Sequence, residues 1–209
     1  MENNTVYTIG HAKLPIPVFL RILKYFDINS LVDIRSKTLL NYMQQFNQDK
    51  LNALLPLHGI YYLYFGKEFG ERQYECMTVE GRVDLNLVAK SRSFIEGVER
   101  IETGLRRGNR IVIMGTPGNP MQCHRFALIG RALSERGIEV LHIMDTECSV
   151  CSHVKLERQM IVDYCRAGRL REAGNGLFDN YTLEQQRADA YILKNKEVGF
   201  FSKKSDIYE

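Results

Sequence analysis

Residues 110–129 read RIVIMGTPGNPMQCHRFALI. Residues 110–114 form a short, β-branched apolar run, which is typical of a buried strand, and Gly115 ends it. A loop rich in glycine and proline follows, and the apolar residues of 126–133 then recur at the spacing of one buried helix face. The stretch therefore predicts a strand, a loop and a helix, which is the repeating unit of an α/β protein.

Four other short apolar runs have the same character, and segments with helical spacing lie between them. The runs cover residues 6–9, 31–35, 61–65 and 139–143. Strands that are separated by helices are joined by right-handed crossovers rather than by hairpins. The sequence therefore predicts an α/β fold with about five mostly parallel strands, each buried on both sides, and helices on both faces of the sheet.

The last third of the chain has a different pattern. Helical segments are predicted at about 154–166 and 182–194, a Gly-rich connection joins them, and no further strong strand is evident. We predict an α/β core over residues 1–147 and a helical extension, 148–209, packed on it. Residues 67–89 are less periodic and predict a long loop, and residues 203–206 predict a loose tail.

Composition excludes several classes of protein. Of the 209 residues, 44% are hydrophobic and 25% charged, which argues against disorder. The net charge of +3 is too small to diagnose a nucleic-acid binder, and no apolar stretch approaches the ~20 residues of a membrane span. The five cysteines and the absence of a signal-like N-terminal pattern predict a cytoplasmic protein with free thiols.

Polar side chains collect where the predicted strands end. The C-terminal ends of parallel strands lie at one edge of the sheet, where such folds bind ligands. The residues at these ends are His11, Asp33, Arg35, Lys67, Glu68, Cys123, His124, Arg125, His142 and Asp145. We predict that six of them line one crevice, namely His11, Asp33, Arg35, Cys123, His124 and Arg125.

Cys123 is predicted at the N-terminus of a helix, where unpaired N–H groups favour negative charge. His124 and Arg125 add positive charge, so a reactive thiolate and an anion-binding site are both favoured. We take Cys123, His124 and His11 as catalytic candidates, and packing of Cys123 as a small buried residue is the alternative. The residue six positions after Cys123 is Ile129 rather than arginine, which argues against classical phosphatase chemistry.

Asp33, Arg35 and Arg125 are the candidates for binding an anionic substrate. Asp33 and Arg35 are two residues apart at a strand end, so their side chains point to the same side. The alternative is a structural ion pair in which the two satisfy each other. His11 is equally consistent with capping a loop, and His142 with a hydrogen-bonded position in the core.

A metal site is the remaining alternative, because Cys148 and Cys151 have the spacing of two zinc ligands. His153 and Cys165 do not supply a matching second pair. We therefore predict neither a metal nor a cofactor.

Several short motifs, in this order, resemble the domain-of-unknown-function 488 family of bacterial and archaeal proteins. The resemblance spans about residues 5–145 and implies a compact α/β domain, but it implies no reaction. Where that family often has Cys-x-Glu near the end of the fourth strand, this chain has Met114, Gly115 and Thr116. The motifs are Thr8-Ile9-Gly10-His11, Val32-Asp33-Ile34-Arg35-Ser36, Phe46-Asn47, His58-Gly59-Ile60-Tyr61-Tyr62, Cys123-His124-Arg125 and Val140-Leu141-His142-Ile143.

Three classes of function follow from these residues. The first is an enzyme that binds an anionic substrate, phosphate-like or nucleotide-like, with Cys123 as nucleophile or sulfur carrier. The second is a non-catalytic module that binds phosphate or nucleic acid through groups such as Arg35, Arg125, Arg131 and Lys67. The third is a structural or regulatory homo-oligomer. The partner is therefore a small anion, a nucleic-acid phosphate or a second copy, and no membrane is expected.

Overall fold

A computed structural model of the chain describes residues 4–174 and 180–202. The predicted tail 203–206 and part of the predicted Gly-rich connection therefore lie outside the described residues. The described chain forms a six-stranded sheet with the order β3-β2-β4-β1-β5-β6. The strands are β1 (Thr5–Gly10), β2 (Ser30–Asp33), β3 (Tyr61–Tyr64), β4 (Ile111–Gly115), β5 (Glu139–Ile143) and β6 (Val150–Ser152).

The predicted α/β class is confirmed, since β1 to β5 are the five expected strands and they pair with one another in parallel. β6 was not expected and pairs antiparallel with β5 at the sheet edge. It has three residues, Val150-Cys151-Ser152, which are too few to give a periodic signal.

The pattern of β3 was misleading about burial. The run predicts a buried strand, but β3 lies at the other edge of the sheet, and Tyr61 is 69% exposed. An apolar run cannot distinguish an edge strand from a central one, because edge position depends on the strand order.

Eight α-helices surround the sheet in the described residues. A π-helical stretch, Arg125–Gly130, precedes α6 and runs directly into it. The segment predicted as a long loop, 67–89, contains α4 and most of α3. The helices are α1 (Ile16–Tyr25), α2 (Gln48–Leu54), α3 (Gly66–Phe69), α4 (Leu85–Val88), α5 (Arg92–Arg106), α6 (Arg131–Glu135), α7 (His153–Arg166) and α8 (Leu183–Val198).

Two hydrophobic clusters cover the two faces of the sheet. Alternate residues of β4 divide between them: Val112 and Met114 face α1 and α2, whereas Ile111 and Ile113 face the cluster that holds the longer helices. Helices on both faces are thus confirmed. None of the helices within the described residues is long and apolar enough to cross a bilayer.

A buried chain of hydrogen bonds ties α7 and α8 to the sheet. His142 Nδ1 lies 2.7 Å from the Thr8 hydroxyl, His142 Nε2 lies 3.2 Å from His153 Nδ1, and His153 Nε2 lies 2.9 Å from the Tyr191 hydroxyl. Tyr191 donates its proton to Glu157 at 2.6 Å. The division between core and extension at residue 148 stays a prediction.

The hydrogen bonds of that chain, together with burial, define the protonation state of His142 and His153. Because the single hydroxyl proton of Tyr191 goes to Glu157, Tyr191 must accept a proton from His153 Nε2. In a neutral His153 that carries its proton on Nε2, Nδ1 accepts from His142 Nε2, and in a neutral His142 Nδ1 then accepts from the Thr8 hydroxyl. Both imidazoles are neutral, in agreement with burial, which lowers the pKa of His142 well below its usual value and that of His153 to about 4.

The free energy of unfolding should fall in acid because of these histidines. A group whose pKa drops from about 6.5 to about 4 on folding stabilises the protein above pH 6.5 and loses that effect as the pH falls towards 4. For His153 the loss between pH 7.5 and pH 5 is about 2 kcal/mol. Urea unfolding of the His153→Gln variant at both pH values should therefore show a pH-dependent loss about 2 kcal/mol smaller than that of the wild type.

His58→Gln is the matched control, because His58 is exposed. It should leave the pH-dependent loss unchanged. An equal loss in wild type and His153→Gln would contradict the neutral buried pair.

Candidate active site

The strand order reverses between β1 and β4, and the site lies at their C-terminal ends. From β1 the chain crosses to β2 on one side, whereas from β4 it crosses to β5 on the other, so a crevice opens between them. His11 N–H donates to Gly115 O at 3.0 Å and Ala12 N–H to Thr116 O at 2.9 Å, which extends the pairing beyond the strands. A Cβ at Gly10 would lie 1.8 Å from Pro117 O, so only glycine permits this approach.

Asp33 and Arg35 form a fully buried ion pair at the end of β2. Arg35 Nε donates to Asp33 Oδ1 at 2.8 Å and Arg35 Nη2 to Asp33 Oδ2 at 2.5 Å. Tyr62, on β3, donates its hydroxyl proton to Asp33 Oδ2 at 2.7 Å. Burial lowers the pKa of Arg35, but the bonds and charge of Asp33 raise it by more, so the guanidinium stays charged.

The remaining donors of Arg35 point to the loop and to His11. Nη2 also donates to Phe46 O at 2.8 Å, and Nη1 lies 3.3 Å from His11 Nε2. Since Arg35 can only donate, His11 Nε2 is an acceptor, and His11 Nδ1 carries the proton that reaches Ala12 O at 3.2 Å. Four of the five guanidinium N–H groups are thereby bonded, which leaves one on Nη1 for a ligand.

His11 is neutral in this setting. Burial and the charge of Arg35 lower its pKa to about 4, and its ring stacks on Phe46 with centroids 4.5 Å apart. A neutral imidazole whose Nε2 already accepts a proton from Arg35 has no free basic nitrogen. The contacts of His11 are therefore those of a group that holds Arg35 in place.

Cys123 occupies the N-cap position of the helix formed by 124–135. Its backbone is extended, and its carbonyl accepts from Phe126 N at 3.0 Å. Its Sγ accepts from Arg125 N at 3.5 Å, as the oxygen of a capping serine does, and lies 3.8 Å from His124 Nδ1. His124 Nε2 donates to Phe69 O at 2.8 Å, so Nδ1 is the nitrogen that exchanges a proton with the thiol.

Cys123 and His124 shift each other's pKa in opposite directions. Burial raises the pKa of Cys123, but the charge of His124 and Arg125 and the hydrogen bonds from both outweigh burial and lower it to about 6. Burial lowers the pKa of His124, and the Cys123 thiolate raises it by more. Each group thus stabilises the charged form of the other, which favours a thiolate–imidazolium pair.

Arg125 is fully buried and holds the loop after β4. Its Nη1 donates to Pro117 O at 2.5 Å and its Nη2 to Gly118 O at 2.7 Å. The guanidinium thereby fixes the backbone that passes between Gly10 and Cys123.

A cavity of about 260 Å³ opens in front of this group. Its polar lining includes Arg35, Glu71 and the Cys123–His124 pair, and its apolar lining includes Val198 and Phe200. The residues that complete the lining are Gly115, Thr116, Pro117 and Gln122.

The structure brings three of the six predicted crevice residues to the cavity wall: Arg35, Cys123 and His124. The other three lie directly behind them, where Asp33 and His11 bind Arg35 and Arg125 binds the loop.

The remaining polar residues at strand ends lie elsewhere. Glu68 pairs with Arg100, and Asp145 accepts from the N–H groups of Glu147 and Ser149. Lys67 is exposed, and His142 belongs to the buried chain described above. His153 is committed to that chain, and within residues 4–174 and 180–202 no three His, Cys, Asp or Glu side chains are grouped as a metal site would require.

Tyr62, Glu71, Val198 and Phe200 belong to the site and were not predicted as site residues. Tyr62 was read as part of an apolar strand and of a family motif but given no role, and Glu71 and Phe200 stand in segments without a regular pattern. The alternation of side chains in β3 could have revealed Tyr62, because Tyr62 pairs with Leu31 in the register and points to the side of Asp33. Glu71 and Phe200 gave no local signal.

The fold and the buried thiol at the switch point define an α/β protein with a ligand-sized cavity at the sheet edge. Residues 15–132 match a family described as Domain of unknown function DUF488. Because the match covers more than half of the 209 residues, the chain belongs to this family. The match includes Asp33, Arg35 and Cys123 to Arg125, and it ends before α7. Searches of curated proteins and of solved structures found no match.

The buried ion pair of Asp33 and Arg35 predicts a large effect of Asp33 on the free energy of unfolding. Asp33→Asn should destabilise the protein by about 3–5 kcal/mol, because it leaves the Arg35 charge buried without a partner. Chemical unfolding at pH 7 measures the change. Asp49→Asn is the matched control, since Asp49 is 65% exposed beside Lys50, and it should cost below about 1 kcal/mol. Equal losses in the two variants would contradict the role of Asp33.

Proposed function

We propose that this protein is an enzyme whose Cys123 thiolate attacks a small anionic molecule bound in the 260 Å³ cavity. One observation carries the proposal: a buried thiol with its pKa lowered to about 6 lines a cavity together with Arg35, whose Nη1 has one N–H without a protein partner. A thiol that only packs has no reason to be ionised at neutral pH.

The hydrogen bonds assign roles to the neighbouring groups. His124 holds the thiolate as an imidazolium, and after attack its Nδ1 proton is available to the leaving group, while Phe69 O keeps the ring oriented. The free Nη1 proton of Arg35 binds an oxygen of the substrate. Asp33 and His11 position Arg35, and Arg125 positions the loop 116–119.

Sulfur transfer is one reaction that this group can perform. The thiolate attacks the outer sulfur of a thiosulfate-type anion, the S–S bond of the donor breaks, and sulfite leaves with the electron pair. Cys123 then carries a persulfide anion. The backbone N–H of Arg125 and the His124 imidazolium stabilise this anion as they stabilise the thiolate.

Binding to a nucleic-acid backbone receives less support from the geometry. Arg35 and Arg125 are buried and bonded to Asp33 and to loop carbonyls, and Arg131 is paired with Glu135. Phosphate-backbone binding needs basic groups that reach outwards. Lys67 is the one exposed cation of the four predicted for this role.

The reactivity of Cys123 tests the nucleophile. In a variant whose other four cysteines are serine, the rate of labelling by iodoacetamide should rise with a midpoint near pH 6, instead of the ~8.5 of a free thiol. His124→Asn should move the midpoint upwards by at least about 1 pH unit, because it removes the charge that stabilises the thiolate. Labelling that is negligible at every pH in the folded protein would overturn the proposal.

Protection by anions tests the substrate site separately. Inorganic phosphate and thiosulfate, at constant ionic strength, should slow the labelling of Cys123 by at least about threefold at saturation, because they occupy the position in front of Arg35. Chloride at the same ionic strength is the control. Rapid labelling at pH 6.5 without protection by either anion would retain the nucleophile and contradict the anionic substrate.

A further inference from the structure

The apolar wall of the cavity comes from the C-terminal extension. Val198 ends α8, and Phe200 follows it two residues later, so both are more than 70 positions from Cys123 in the sequence. They lie outside the residues that match the family, which end at 132. The part of the chain that holds the thiol and the part that closes the cavity are thus separate in the sequence.

Backbone hydrogen bonds hold the segment 199–202 against the strand-like residues 81–83. Val83 N–H donates to Phe200 O at 2.8 Å, and Ser202 N–H donates to Gly81 O at 2.9 Å. Arg82 Nη1 adds a bond to Gly199 O at 2.9 Å. The position of Phe200 is therefore fixed by bonds on both sides of it.

The Phe200 ring is held from outside the cavity as well. The guanidinium of Arg72 lies 4.8 Å from its centroid, and the ring of Tyr74 meets it edge-on at 6.3 Å. The next side chain, Phe201, is 51% exposed and lines no part of the cavity. Of these two adjacent phenylalanines, Phe200 therefore lines the cavity, whereas Phe201 is exposed to solvent.

We infer that Phe200 is a specificity-determining residue that limits the substrate of Cys123 to a compact anion of few non-hydrogen atoms. The inference rests on the proposed function and narrows its substrate class. A cavity of about 260 Å³ is below the ~300–1,000 Å³ of sites for drug-sized ligands. With Phe200 fixed as one wall, a simple oxyanion or a short carboxylate fits in front of Cys123, and a nucleotide does not.

Thiol reagents of one chemistry and two sizes test this limit. In the variant that keeps only Cys123, iodoacetamide and its N-phenyl derivative are compared by the ratio of their labelling rates. Phe200→Ala should raise the rate of the N-phenyl reagent relative to iodoacetamide by about tenfold, as expected when a ring-sized obstruction is removed. Phe200→Leu should give a smaller increase in the same direction.

Phe201→Ala is the matched control and should leave the ratio unchanged. A ratio that is the same in wild type, Phe200→Ala and Phe200→Leu overturns the inference, and thermal unfolding verifies that the variants are folded. A variant that changes the reactivity of the thiol itself changes both labelling rates by the same factor, so the ratio of the two rates is unaffected by it.

The two proposals fail in different ways. If iodoacetamide labels the Cys123-only protein with a midpoint near pH 6 but substitutions of Phe200 do not change the ratio, the proposed nucleophile is supported and the size limit is contradicted. If the Cys123-only protein resists both reagents at every pH and Phe200→Ala admits them, the proposed nucleophile is overturned, whereas the role of Phe200 as the wall in front of the thiol is supported. If no variant is labelled by either reagent, both proposals are overturned.

Discussion

A guanidinium that is removed from water needs polar partners that compensate its lost hydration, and at this sheet edge the carboxylate of Asp33 is the partner of Arg35. The pairing reaches further than two residues. Tyr62, on β3, donates a hydrogen bond to the Asp33 carboxylate. The Arg35 guanidinium also donates to Phe46 O and to His11 Nε2. Three strands and a loop are thereby joined at one charged group, and the single free N–H of Arg35 acquires a fixed direction.

The thiol side of the cavity depends on a second buried arginine with a different kind of partner. Arg125 bonds carbonyl oxygens rather than a carboxylate, so its positive charge is not cancelled locally. That charge acts on Cys123 together with His124 and the N–H at the start of the helix. The same bonds bring the loop after β4 against Gly10, where a Cβ would collide with Pro117 O. The geometry of the loop and the ionisation of the thiol therefore have a common cause.

The C-terminal helices are linked to this site through the interior of the protein. Tyr191 on α8 and His153 on α7 connect to His142 on β5 and to Thr8 on β1. These bonds fix α8 against the sheet, and α8 leads into the segment that carries Phe200. A polar chain inside the core thus holds the helix that leads into the outer wall of the cavity, and the hydrogen bonds of 199–202 with 81–83 fix the wall itself.

The sequence by itself determined the fold class and the thiol's position at a helix start, because both are local. Apolar runs of strand length alternate with helical spacing, and the glycines and prolines between Gly115 and Pro120 mark the turn that leads to Cys123. It also placed Asp33 and Arg35 together, since residues two apart on a strand share a side.

Only the tertiary structure decided which of these groups face the cavity and which stand behind it. Arg35 and Arg125 look alike in the sequence, yet Arg35 lines the cavity, whereas the Arg125 side chain turns back to the carbonyl oxygens of Pro117 and Gly118. Glu71 and Phe200 reach the cavity from segments without periodicity, and β3 proved to be an exposed edge strand. Such placements depend on strand order and on contacts across more than a hundred residues, and a local pattern carries no information about either.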